Sequence, residues 1–294
     1  MRHVHQQQLA VQQRRQRSQL RRLLEVRGLV GGHRAPHRTV RLRTADGVRL
    51  AASYLPGPDA HAPAVVLVHG FAAHRRKPAY ALLADILAGW VHVLSLDLRG
   101  HGRSEGLCTL GDLERFDVAA AIERLRHAGH RRVAVVGISM GATSLLHALA
   151  DGCDVDAAVI VSAPARLGEI ETDALAGLDD VWRTWWRRGA FRLLSGVRLV
   201  APDAWRPFPH PHELAAKVDV PLLVVHGRDD HFFPPHHAET LHAAAAGPAT
   251  LWLEPAGFGH AEDGITPAFA AALAQALHAV FDRGQFPARP GPGS

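Results

Sequence analysis

Six short apolar runs punctuate the chain: AVVLV (64–68), VHVLSL (91–96), VAVVGI (133–138), AAVIV (157–161), PLLVV (221–225) and TLWL (250–253). None alternates apolar with polar residues, so each suits a strand covered on both faces rather than one with a wet side. Between them lie stretches with helical spacing: YALLADILAGW, LERFDVAAAIERLRHAG, MGATSLLHALA, HAETLHAAAA and AFAAALAQALHAVF. Strand and helix alternating in this way predict an α/β fold, a mostly parallel central sheet with helices on both faces. Ahead of it, TVRLRT, the turn Asp46-Gly47 and VRLAASYL predict an antiparallel hairpin.

The alternation fails once. Between Pro164 and Pro221 the sequence is helically patterned with no strand, too long for an ordinary connection. A helical insertion over about 166–217 is expected there, and a lid is its natural role. Trp182, Trp185 and Trp186 are expected on one helical face, packing the insertion onto the core or lining a substrate pocket.

Charge divides unevenly. The chain carries +5, yet residues 1–43 hold eleven arginines against Glu25 alone, or +10, which leaves −5 for the remainder. The basic character therefore belongs to an Arg/Gln-rich extension over 1–36, expected to be disordered or partly helical, ahead of a domain at 37–284. No nucleic-acid partner is expected, since no aromatic residue is interleaved with the arginines; weak attachment to a polyanion or membrane surface is the alternative role. The terminal FPARPGPGS predicts a disordered tail over 285–294. With only Cys108 and Cys153, no disulfide scaffold or cysteine-rich metal site can be assembled, and no cofactor or metal is expected. No apolar run is long enough to span a bilayer and no secretory leader is seen, which predicts a cytoplasmic protein.

The third of the strand runs named above ends in Gly137-Ile138-Ser139-Met140-Gly141. A strand turning sharply into a helix crowds its own backbone, and glycines on either side relieve that crowding. Ser139 is then held at the carboxyl end of the sheet, beside the first amides of the next helix, including that of Met140. A serine hydroxyl needs a base to become a nucleophile, and the base needs an acid to fix its tautomer. HGRDDHFFPP follows one strand and GFGHAED the next, so an aspartate, Asp230 or its neighbour Asp229, and His260 would open on the same side as Ser139.

In these features the chain resembles the α/β-hydrolase superfamily from about residue 39 to 283. The matching elements are His69-Gly70-Phe71, DLRGHGRS at 97–104, the Gly-x-Ser-x-Gly turn, His226-Gly227 with Asp230 and Pro234, and Gly259-His260. The resemblance implies an oxyanion hole from the backbone N–H groups of Phe71 and Met140, and a cap formed by the insertion. Superfamily spacing, three residues after Gly227 and four before Pro234, favours Asp230 over Asp229. The likeness is strongest to esterases, lipases, thioesterases and prolyl-aminopeptidase-like enzymes, because a serine stands where dehalogenases carry aspartate and dienelactone hydrolases carry cysteine. It implies a serine hydrolase acting on small-molecule esters or thioesters; an acyltransferase or a non-catalytic binding protein on the same scaffold is the alternative. His69 and His101 are expected to support the loops around the site, and Asp117 and Arg124 to be solvated or capping charges.

Overall fold

A computed structural model describes residues 31–289 of the chain. In chain order its elements are strands β1 (Arg38–Arg43), β2 (Arg49–Leu55) and β3 (Ala64–Val68), helix α1 (Pro78–Leu87), β4 (His92–Asp97), α2 (Glu114–His127), β5 (Val133–Ile138), α3 (Met140–Ala150) and β6 (Ala157–Val161). There follow α4 (Asp173–Arg183), α5 (Trp185–Ser195), α6 (Pro211–Ala215), β7 (Leu222–Gly227), α7 (His236–Ala244), β8 (Ala249–Glu254), a 3₁₀ turn (Ala261–Gly264) and α8 (Pro267–Arg283).

The strands form one sheet in the order β1-β2-β4-β3-β5-β6-β7-β8. The first two pairings are antiparallel and the rest parallel, as the hairpin and the continuous apolar runs require. Because side chains alternate across a strand, each run feeds both faces. Val66, Leu94, Val135, Ile160 and Val224 pack beneath α2, α3, α6 and α7. Val65, Val93, Val136, Val159 and Val225 pack beneath α1 and α8. All parallel strands thus point their carboxyl ends, and the loops that follow them, to one edge.

Two expectations change within the domain. The tryptophan face does not form, because Thr184 takes an extended conformation (φ −83°, ψ 110°) that ends α4 and caps α5. Trp182 turns inward, donating from Nε1 to the Val200 carbonyl (3.0 Å), while Trp185 and Trp186 are 77% and 54% exposed. Neither of the latter two packs the connection onto the core. Asp117 is not solvated: it is fully buried, accepting from Arg99 N–H (2.7 Å) and Nε (2.8 Å), and Arg99 also reaches Asp46. Burial pushes the Asp117 carboxyl up to about 7, against the opposing pull of Arg99. Arg124, half-buried in the last turn of α2, lines a cavity of about 240 Å³ with Arg38, Tyr54, His92 and His130 at the amino-terminal edge of the parallel strands.

The ends also differ from expectation where they are described. Phe286 is buried in the α1/α8 core, Trp252 donates from Nε1 to the Pro287 carbonyl (3.0 Å), and Arg289 pairs with Glu254. The tail is thus docked as far as residue 289, its burial of Phe286 outweighing a turn-rich composition. At the other end, Arg34 and Ala35 donate their N–H groups to Asp85 of α1. Residues 1–30 of the Arg/Gln-rich extension, and residues 290–294, lie outside the described residues.

Candidate active site

Ser139 sits at φ 52°, ψ −117°, a conformation an L-residue adopts at a cost of about 1–3 kcal/mol. Its neighbours explain how the turn closes. A Cβ at Gly137 would lie 2.6 Å from the Gly141 carbonyl oxygen, and one at Gly141 would lie 2.6 Å from that of His69. Only glycine fits at either place. Ser139 N–H donates to the Val161 carbonyl (2.8 Å), which ties the turn to the end of β6.

His260 Nε2 lies 3.0 Å from Ser139 Oγ, and Asp230 Oδ2 lies 2.8 Å from His260 Nδ1. Asp230 accepts on its other oxygen from the N–H groups of Phe232 (2.9 Å) and Phe233 (3.0 Å). Burial alone would raise the Asp230 carboxyl; the His260 hydrogen bond and charge and the Phe233 amide outweigh it and hold the group below its ordinary value. It is therefore an anion at neutral pH, accepting the Nδ1 proton and leaving Nε2 bare toward the hydroxyl. Asp229, the rival, faces elsewhere. Its oxygens accept from Gly257 N–H (2.6 Å) and Gly259 N–H (3.0 Å), bracing the loop that carries His260.

Two further supports of the site have partners that sequence could not reveal. Ser162, the residue after β6, accepts from Ala261 N–H (3.0 Å). His226 donates from Nε2 to the Phe233 carbonyl (2.8 Å), fixing the strand end from which Asp230 projects. His226 could be read as part of a motif, but its partner could not.

The loop after β3 passes against the serine, since a Cβ at Gly70 would lie 3.2 Å from Ser139 Cβ. The backbone N–H groups of Phe71 and Met140 have no acceptor among the described residues. Buried histidines hold this loop. His69 donates from Nδ1 to the Gly70 carbonyl (2.7 Å) and accepts at Nε2 from Leu98 N–H (3.0 Å). His101 donates to the Arg99 carbonyl (3.0 Å) and accepts from Ala72 N–H (3.3 Å), where Ala72 has φ +56°. Burial pushes His69 well below its ordinary value and His101 down to about 4, so both stay neutral acceptors. Asp97 completes the frame by pairing with Arg75 and accepting its N–H (2.9 Å). Above the loop, the Phe71 ring stacks on Phe191 of α5 at 5.5 Å.

One cluster among the described residues has metal-ligating groups, Glu171 with His236 and His237. His237 Nδ1 accepts from Ala165 N–H (3.0 Å), so a neutral ring carries its proton on Nε2, 3.0 Å from Glu171 Oε1. The three groups thus bring the β6–β7 connection and α7 into close approach, with His237 Nε2 at ion-pair distance from Glu171.

A family model described as "Serine aminopeptidase, S33" matches residues 59–194, a little under half of the chain. YfhR of Escherichia coli K12, an uncharacterized protein, is 26% identical over 228 residues, covering 74% of this chain and 72% of its own. Human protein ABHD12B is 29% identical over 195 residues, 62% of this chain and 50% of its own. Among solved structures, the esterase Pf2001 of Pyrococcus furiosus superposes with a TM-score of 0.65 at 19% identity, over 85% of this chain and 93% of that one. The esterase RhEst1 of Rhodococcus sp. ECU1013 gives 0.63 at 20% identity, over 82% and 98%. With one sheet topology, one strand-turn-helix serine and likenesses that all converge on it, the chain has the α/β-hydrolase fold.

Proposed function

We propose that this chain is a serine hydrolase that cleaves carboxylic esters or thioesters of small-molecule substrates through an acyl-enzyme. The observation that carries the reading is the line Ser139 Oγ, His260 Nε2 (3.0 Å), His260 Nδ1, Asp230 Oδ2 (2.8 Å). In the proposed reaction, Ser139 Oγ bonds to the carbonyl carbon as its proton passes to His260 Nε2. The N–H groups of Phe71 and Met140 receive the oxygen charge that develops. Collapse breaks the bond to the leaving alcohol or thiol, which takes the proton from His260. Water, deprotonated by the same imidazole, then releases the acid and restores Ser139. Asp230 stays ionised throughout and stabilises the imidazolium. No cofactor or metal enters this sequence.

The connection over 166–217 is proposed as the lid of the 37–284 domain, with Phe191 on Phe71 as its contact above the oxyanion loop. Two free thiols, Cys108 buried, suit a reducing cytoplasmic setting, and no helix among the described residues is long and apolar enough to cross a membrane. A panel of p-nitrophenyl esters and thioesters of increasing acyl length tests the reading. Turnover of some members, lost in Ser139→Ala with the fold intact, is expected; turnover that survives Ser139→Ala would overturn it.

A further inference from the structure

Helix α5 is inside out. With about 3.6 residues per turn, Trp185, Trp186, Gly189, Ala190, Leu193 and Leu194 fall on one half of its circumference. Every one of them is exposed, Leu193 at 70% and Leu194 at 55%. The residues turned toward the protein are Arg188, Phe191 and Ser195. An apolar stripe normally faces the core. Here the core side is met by the Phe71–Phe191 stack and by Arg188 donating to the Trp182 carbonyl, and the stripe is left to solvent. A patch of this kind marks an interaction surface.

The charges at its borders choose the occupant. Arg187 and Arg192 flank the apolar stripe on its two sides, and α5 contains no acidic residue. Arg187 reaches back to Asp180 of α4, while Arg192 has no acidic partner among the described residues. A second copy docked face to face would set arginine against arginine. The chain's own first 43 residues, at +10, would meet the same repulsion. A surface that is apolar within and anionic at its rim fits instead. Two tryptophans, two leucines and bordering arginines are the composition of a helix lying in the plane of a bilayer interface, its apolar face sunk among the acyl chains and its arginines at the headgroups.

We propose that α5 docks on anionic lipid surfaces. The helix is about 16 Å long, so it lies along such a surface without spanning it. Its opposite side touches the loop that bears the Phe71 N–H, so docking sets the candidate active site directly beneath the membrane contact. Binding is independent of the proposed chemistry and is read without substrate.

The test uses the full chain with vesicles of phosphatidylcholine alone or mixed with phosphatidylglycerol, followed by flotation. The wild-type chain is expected to float with the anionic vesicles and far less with the neutral ones. Leu193→Glu/Leu194→Glu, which alters only exposed side chains, is expected to weaken binding by roughly tenfold or more. It should retain wild-type circular dichroism and turnover of a soluble ester. Brominated phosphatidylglycerol is expected to quench tryptophan fluorescence in the wild-type chain and much less in Trp185→Phe/Trp186→Phe. Unchanged flotation of the double-glutamate variant would overturn the proposal by moving attachment to the arginine-rich extension. Absence of binding to either vesicle, or a concentration-dependent dimer that the variant abolishes, would overturn it as well.

Discussion

The carboxyl edge of the sheet and the β6–β7 connection are built on opposite plans. At the edge, the loops that carry Ser139, Asp230 and His260 have backbone N–H groups tied to Val161, to Asp230 itself, and to Asp229 and Ser162, while His69 and His101 hold N–H groups of the adjoining loops. In the connection, neither α4 nor α5 contains a buried residue. The first plan holds atoms within hydrogen-bond reach of one another. The second leaves a helix pair free to present a surface. Substitutions should therefore act on rate at the edge, and on access and attachment in the connection.

The largest effects should come from the edge. Ser139→Ala or His260→Ala is expected to lower kcat by about 10⁴ to 10⁶-fold, since members of such a unit fail together. Asp230→Asn should cost about 10⁴-fold by presenting the wrong histidine tautomer, whereas Asp229→Asn, which retains one acceptor for the Gly257 and Gly259 amides, should cost roughly tenfold or less. Steady-state kinetics on one ester decide the order; a larger loss at Asp229 would erase the division of labour between these neighbours.

Stability sharpens the same comparison. Asp117→Ala should cost about 3–5 kcal/mol by stripping a buried partner from Arg99, and Leu67→Ala in β3 about 2–5 kcal/mol. Trp186→Ala on α5 should stay within about 0.5 kcal/mol. Urea denaturation measures all three, and a Trp186→Ala cost equal to that of Leu67→Ala would mean that the connection is core.

A smaller effect concerns pH. His101 is pushed down to about 4 by burial, against about 6.5 in an unfolded chain, so below pH 6.5 the unfolded state binds a proton that the native state refuses. The stabilisation is full above pH 6.5 and is lost as pH falls toward 4. Denaturation midpoints should therefore drop across that window, and His101→Gln should flatten the drop. An unaltered slope in the variant would remove His101 from the account.

How much of this was legible in the sequence follows from how local each signal is. Continuous apolar runs dictate two-sided burial, so the parallel strands could be read directly. The Gly-x-Ser-x-Gly spacing is local, with Gly137 crowded by Gly141 four residues on, so that turn was equally plain, although the contacts of Gly141 with His69 and of Ser139 with Val161 were not. Asp117 misled because its partner Arg99 lies in a loop 18 residues earlier, which helical spacing cannot reveal. Asp229 and Ser162 brace amides 28 to 99 residues distant, contacts that exist only once the sheet has formed. The tryptophan face failed on one residue. Apolar periodicity runs through Thr184, but the backbone there does not. The apolar half of α5 emerged only after that break reset the phase of the helix.

The account turns on Ser139 being the nucleophile that His260 activates. Reaction with a fluorophosphonate, followed by mass-spectrometric mapping of the modified peptide, addresses this most directly. The wild-type chain should carry the phosphonyl group on Ser139 alone, Ser139→Ala should carry none, and His260→Ala should label far more slowly. Labelling at another residue, or undiminished labelling rates without His260, would contradict it.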